Sequence, residues 1–109
     1  MVSSAMIRLR AVYPATPGAR FDWSFYLGQH LELSRKLLSS RGLVRTGIDR
    51  GIGGFPPGAP PPYHAVGHLF FLTVAEMESA LAATAAEFIA DARNYTDAPG
   101  VVQISQVVE

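Results

Sequence analysis

Ten residues, Tyr63 to Leu72, sit between a proline run and Thr73, and they constrain the fold more than any other part of the chain. They are rich in aromatic and β-favouring side chains and bounded on the N-terminal side by Pro60, Pro61 and Pro62, which marks a strand. Their nearly continuous apolarity implies cover on both faces. Thr73 and Glu76 follow at once with the spacing of a capping box, in which each side chain satisfies an amide left open at a helix start. A helix is therefore expected to about Ala92, with Met77, Ala80, Leu81, Thr84 and Phe88 on one face.

The remaining segments complete a regular alternation. From Met6 to Tyr13 the residues Ile7, Leu9, Ala11 and Tyr13 fall on one side and Arg8 and Arg10 on the other, a strand that Pro14 is expected to stop. Asp22 can cap a helix that runs to about Ser40, where Gly42 ends it. Leu43 to Asp49 reads as a second strand, and Val101 to Val108 as the last. Gly51 to Pro62 is so rich in glycine and proline that a mobile loop or lid is expected. The order strand, helix, strand, strand, helix, strand predicts an α+β fold of the ferredoxin-like βαββαβ type, one domain over residues 1–109. Both helices cover one face of a four-stranded antiparallel sheet. The open face is expected to carry Val12, apolar residues of the last strand and one side of Tyr63–Leu72, a patch that a homodimer through the sheet faces would bury.

Composition excludes several functions. Basic and acidic residues balance at nine each, which removes the long-range pull toward phosphate backbones or anionic lipid, so neither nucleic acid nor membrane is an expected partner. The chain has no cysteine, so thiolate nucleophiles and cysteine-ligated metals are absent. Met1 to Ala5 lacks the basic stretch and apolar run of a signal peptide, and no window approaches the length of a membrane span, so a cytoplasmic protein is expected.

Rotating each residue of the first helix by about 100° gathers Trp23, Tyr26, Leu27, His30, Leu33, Leu37 and Leu38 on one face. His30 falls at the centre of that stripe, where desolvation keeps an imidazole neutral and basic, and Tyr26 lies one turn earlier. They are the candidate catalytic residues, against the alternative of two buried groups that merely satisfy backbone carbonyls. His64 and His68 share one side of the third strand, and His68 is a candidate pocket donor together with Tyr95 in the polar connection Asn94–Gly100. Trp23 and Tyr63 extend the expected aromatic lining. No metal site is expected, because the spacing of ligands in motifs such as His-Glu-x-x-His is missing. Gly51-Ile52-Gly53-Gly54 lacks the lysine and the following helix of a phosphate loop.

Several segments resemble the EthD family, named for ethyl tert-butyl ether degradation. They are Val12-Tyr13-Pro14, Pro17 to Asp22, Tyr26-Leu27-Gly28-Gln29-His30, the loop from Gly53-Gly54 to Pro62-Tyr63, His68-Leu69-Phe70, and Asn94-Tyr95-Thr96-Asp97 before Gln103-Ile104-Ser105. The resemblance implies a dimeric α/β barrel, a superfamily whose members include cofactor-independent monooxygenases, muconolactone isomerases and haem-dependent chlorite dismutases. It implies no single reaction. The expectation is a small protein acting without a cofactor on an apolar small molecule by acid/base chemistry, of isomerase, decarboxylase, dehydratase or monooxygenase-like type. The alternatives are an accessory protein that binds a hydrophobic intermediate for a separate oxidase, and a module serving dimerisation alone.

Overall fold

The computed structural model describes residues 6–98 and 100–109. Its elements are β1 (Ile7–Pro14), α1 (Trp23–Phe25), a π-helical turn (Tyr26–His30), α2 (Leu31–Leu38), a 3₁₀ turn (Ser39–Arg41), β2 (Arg45–Arg50), β3 (Tyr63–Phe71), α3 (Val74–Ala92) and β4 (Val101–Gln106). Residues 23–38 form one continuous helix. The four strands pair antiparallel in the order β2-β3-β1-β4, the ferredoxin-like arrangement expected from the sequence. No helix among the described residues is long and apolar enough to cross a membrane.

Local chemistry sets the helix ends. The Asp22 carboxylate accepts from the Phe25 amide at 3.0 Å, and Thr73 Oγ1 accepts from the Glu76 amide at 3.1 Å. Gly42 takes φ +100°, the left-handed cap that glycine adopts without penalty. β1 ends at Pro14, which pairs as its last residue. The register shifts between Tyr13 and Pro14, and the irregularity lets a residue without an amide proton pair opposite Tyr63.

The Gly51–Pro62 connection, where a mobile loop or lid is expected, carries hydrogen bonds from Gly51 to the His64 carbonyl and from Gly54 to that of Ala59, both 2.9 Å. Leu27 points outward and is 51% exposed, because the π-turn adds a residue to the helix just after Tyr26. The inward line becomes Tyr26, His30, Ser34 and Leu38.

The face under the helices carries Ile7, Leu9, Ala11 and Tyr13 of β1 opposite Phe71, Leu69, Gly67 and Ala65 of β3. Ile7, Leu9, Leu38, Phe71, Met77 and Ala80 form an aliphatic core at one end, and Tyr13, Tyr26, Ala65 and Tyr95 form an aromatic core at the other. The open face carries Val12, Val66 and Phe70 as expected, with Val101 of β4 opposite Val12, but less of β4 than expected. Pairing sets Val102 opposite Ala11 and Ile104 opposite Leu9, which turns both toward the helix side. In their place the open face presents Arg8, Arg10, Arg45, His68, Asp49 and Gln103 around Val12, Val66 and Phe70. The Arg45 guanidinium lies 3.8 Å over the Phe70 ring.

Candidate functional site

Between the two cores the small pair Ala11 and Gly67 leaves the sheet floor low, and a cavity of about 570 Å³ opens above it. Leu9, Ile48, Leu81, Phe88 and Ile89 give it apolar walls, and Tyr13, Tyr26, His30 and Tyr95 gather at one end. The volume matches a site for a small organic molecule. The charged residues that border it, Arg93 and Asp97, are exposed at the rim.

His30 is set by the π-turn. The Leu31 amide reaches back to the Tyr26 carbonyl, and the Ser34 hydroxyl donates to the His30 carbonyl at 3.0 Å, so the widened backbone stays satisfied. Such turns recur at functional sites. The imidazole stacks on Tyr26 with ring centroids 4.8 Å apart and planes 10° apart, and meets Tyr95 at 4.7 Å. Behind it, off the cavity wall, Asp91 Oδ2 lies 2.7 Å from Nδ1. A carboxylate there accepts the Nδ1 proton, which leaves Nε2 as the acceptor of the ring. Asn94 Nδ2 reaches the other carboxylate oxygen at 3.5 Å.

Burial pulls the His30 pKa below the ordinary histidine value, with the Asp91 hydrogen bond and charge acting the other way. The folded ring is thus harder to protonate than the unfolded one. Below about pH 6.5 the unfolded chain takes up more protons, so the stability gained by burying a neutral ring is complete above that pH and drains as pH falls toward the folded pKa. Denaturation series between pH 8 and 5 are expected to show wild type losing more stability than His30→Gln; parallel pH profiles would contradict a ring held neutral.

The segments on either side of the site hold each other. The Asp22 amide donates to the Tyr95 carbonyl at 2.7 Å, and Phe21 forms a β-bridge with Thr96. The Arg20 guanidinium donates to the Arg93 and Asn94 carbonyls at 2.8 and 3.0 Å, a cation closing the C-terminal end of α3. The Arg20–Asp97 ion pair is exposed and adds little. These contacts seat Tyr95 and align Asp91 with His30.

Of the residues singled out in the sequence, His30, Tyr26 and Tyr95 come together. His68 does not join them: residue 68 borders the cavity floor, but its imidazole bonds Asp49 at 2.9 Å on the sheet face away from the helices, since its neighbours Gly67 and Leu69 hold the helix side. Trp23 packs on Phe21 at 5.0 Å beside the site, under Arg50, and does not line the cavity. Tyr63 is half-exposed at the start of β3, also off the lining. Among the described residues no three His, Asp or Glu side chains converge as metal ligands. Asp91 and Tyr13 were not anticipated. Asp91 continues the spacing of Met77, Ala80, Thr84 and Phe88, so a carboxylate on the apolar stripe of α3 was the available signal.

Gly67 is fitted to Tyr26, whose hydroxyl occupies the space a Cβ would need. Gly67→Ala is expected to lose about 1–3 kcal/mol through that clash, more than the 0.5–1 kcal/mol alanine returns in backbone entropy. Urea denaturation checks it, and an unchanged or higher midpoint would show that Tyr26 has room to move.

No family profile matches the sequence, and no curated protein matches it either. Solved structures do. An EthD-like protein from Ralstonia eutropha JMP134 aligns with a TM-score of 0.89 at 32% identity, covering 98% of this chain and 96% of that one. An ethyl tert-butyl ether D (EthD) family protein from Bacillus halodurans C-125 aligns at 0.70 and 20% identity over 92% and 96% of the two chains. A dimeric ferredoxin-like protein from an uncultured marine organism shares the fold at 0.59 and 17% identity, over 96% and 97%. With near-complete coverage of a relative about a third identical to it, this chain belongs to the EthD family.

Proposed function

We propose that this EthD-like protein moves a proton on an apolar small molecule bound between helices and sheet, with His30 as the base and Asp91 as the group that orients it. The observation that supports this most directly is the 2.7 Å bond from Asp91 to the far side of a cavity-lining imidazole. The reading is supported by a ring whose charged form burial disfavours, a carboxylate on Nδ1 that favours one tautomer, and a place for the residue in the cavity lining. Tyr26 serves by stacking, which fixes the plane of the ring.

The test has two arms. Native mass spectrometry of protein purified from its own host is expected to retain a small organic molecule. In D₂O, apolar carbonyl and phenolic compounds screened by NMR are expected to include some whose acidic C–H exchanges faster with protein than with buffer. A protein that retains nothing and accelerates no exchange overturns the reading.

The same reading includes a two-fold dimer through the open sheet faces. Arg8 Nε and His68 Nδ1 are buried on that face without a partner among the described residues, and a second copy can supply partners where an apolar seam was first expected. Light scattering at micromolar concentration is expected to give twice the chain mass, and a monomer would remove the dimer from the proposal.

A further inference from the structure

Two of the buried phenols meet at the end of the cavity where His30 lies. Tyr13 Oη and Tyr95 Oη are 2.8 Å apart, and both residues are more than nine-tenths buried. A phenol has one proton to give and room to accept two. Whichever way the bond between them runs, it uses one of two protons, and the other has no acceptor among the described residues. The Tyr26 ring packs against both, its centroid 5.6 Å from that of Tyr13 and 5.0 Å from that of Tyr95, with its hydroxyl pressed against Gly67. Either oxygen can be the donor in the 2.8 Å bond, so the Tyr13–Tyr95 pair as a unit holds one spare O–H at the cavity end. Burial pushes all three phenols above their ordinary pKa, so each keeps its proton at neutral pH.

We propose that the Tyr13–Tyr95 pair donates this proton in a hydrogen bond to the carbonyl oxygen of a neutral ligand, so that the cavity selects apolar ketones over hydrocarbons of the same shape. The inference deepens the proton-transfer reading and rests on its cavity. A base at His30 Nε2 and a donor at the tyrosine pair are the two groups that enolisation needs. The C–H bond beside the carbonyl breaks, its proton passes to His30 Nε2, and the electron pair moves onto the oxygen that the pair holds. Return of that proton to carbon closes the cycle, at the same carbon as exchange or at a conjugated carbon as isomerisation. No oxidant or cofactor enters the balance. The phenol that donates within the pair strengthens the other's bond to the developing oxyanion. The uncharged interior favours a ketone over a carboxylate, because the bordering charges of Arg93 and Asp97 lie exposed at the rim.

The test compares 2-acetylnaphthalene with 2-isopropenylnaphthalene, which replaces C=O by C=CH₂, using equilibrium binding followed by fluorescence. Wild type is expected to bind the ketone roughly three- to tenfold more tightly than the hydrocarbon, the range set by one net hydrogen bond. The double variant Tyr13→Phe/Tyr95→Phe keeps both rings and is expected to bring that ratio to one, because removing either hydroxyl alone frees the other to donate. Each single variant is expected to keep part of the preference, and His30→Gln to leave it in place. The infrared carbonyl stretch of the ketone bound to wild type is expected below its frequency in hexane, a readout that needs no variant. A preference that survives the double variant, a carbonyl stretch equal to that in hexane, or a preference lost only with His30 overturns the inference while the cavity and base stand. If neither probe binds, the cavity reading falls together with it.

Discussion

His30→Gln is expected to lower the rate of proton exchange on a bound carbonyl compound by about 10²–10⁴-fold, the usual contribution of a positioned general base, while the dissociation constant changes by no more than about twofold. Glutamine keeps an amide donor for Asp91 and so preserves the packing, but it offers no basic nitrogen to the cavity. Asp91→Asn is expected to fall in the same direction by a smaller factor, since it leaves the ring in place with the wrong tautomer available. Rates by NMR in D₂O and affinities by fluorescence separate the two effects. The same variant tells an enzyme from an accessory binding protein. An imidazole that works in the transition state takes the rate with it and leaves affinity behind, whereas a binding contact takes affinity alone. A His30→Gln protein with full exchange activity would remove the base from the proposal.

The parts of this fold that were readable from sequence are those decided by a few neighbouring residues. Asp22, Gly42 and the Thr73–Glu76 pair act on amides and carbonyls within one turn, so their meaning is contained in their own segment. Parity across the sheet is not of this kind. Val102 and Ile104 face the helices, and Val101 the open side, only because β4 pairs with β1 in one register, and a slip of one residue would have reversed them. The π-turn was hidden for a related reason. A uniform helical wheel admits no added residue, so it placed Leu27 inward, although it placed Tyr26 and His30 correctly because they precede or span the insertion. His68 was misplaced by the opposite error, in which even spacing along β3 established that it shares a side with His64 but not which side the helices cover. Asp91 was legible in principle. Its carboxylate interrupts an apolar stripe on α3, and such an interruption needs a buried partner, which the helix opposite supplies as His30.

The His30–Asp91 pair is expected to show unequal costs when either half is removed. Its side chains are 13% and 10% exposed, so solvent does little to replace a lost partner. His30→Leu strands a carboxylate with only the 3.5 Å contact to Asn94, and about 3–5 kcal/mol of stability should be lost, or the carboxyl must bind a proton. Asp91→Leu strands the N–H of a ring that is already neutral, at about 1–3 kcal/mol. The double variant, apolar on both sides, should recover part of the loss, with a coupling of about 1–3 kcal/mol in the cycle. Urea denaturation at pH 7.5 measures all four proteins. The asymmetry carries the functional consequence. A neutral imidazole tolerates the loss of its acceptor better than a carboxylate tolerates the loss of its donor, whereas an ion pair loses comparably from either end. Equal losses would therefore mean an imidazolium at rest, and an imidazolium already holds the proton that Nε2 is proposed to take.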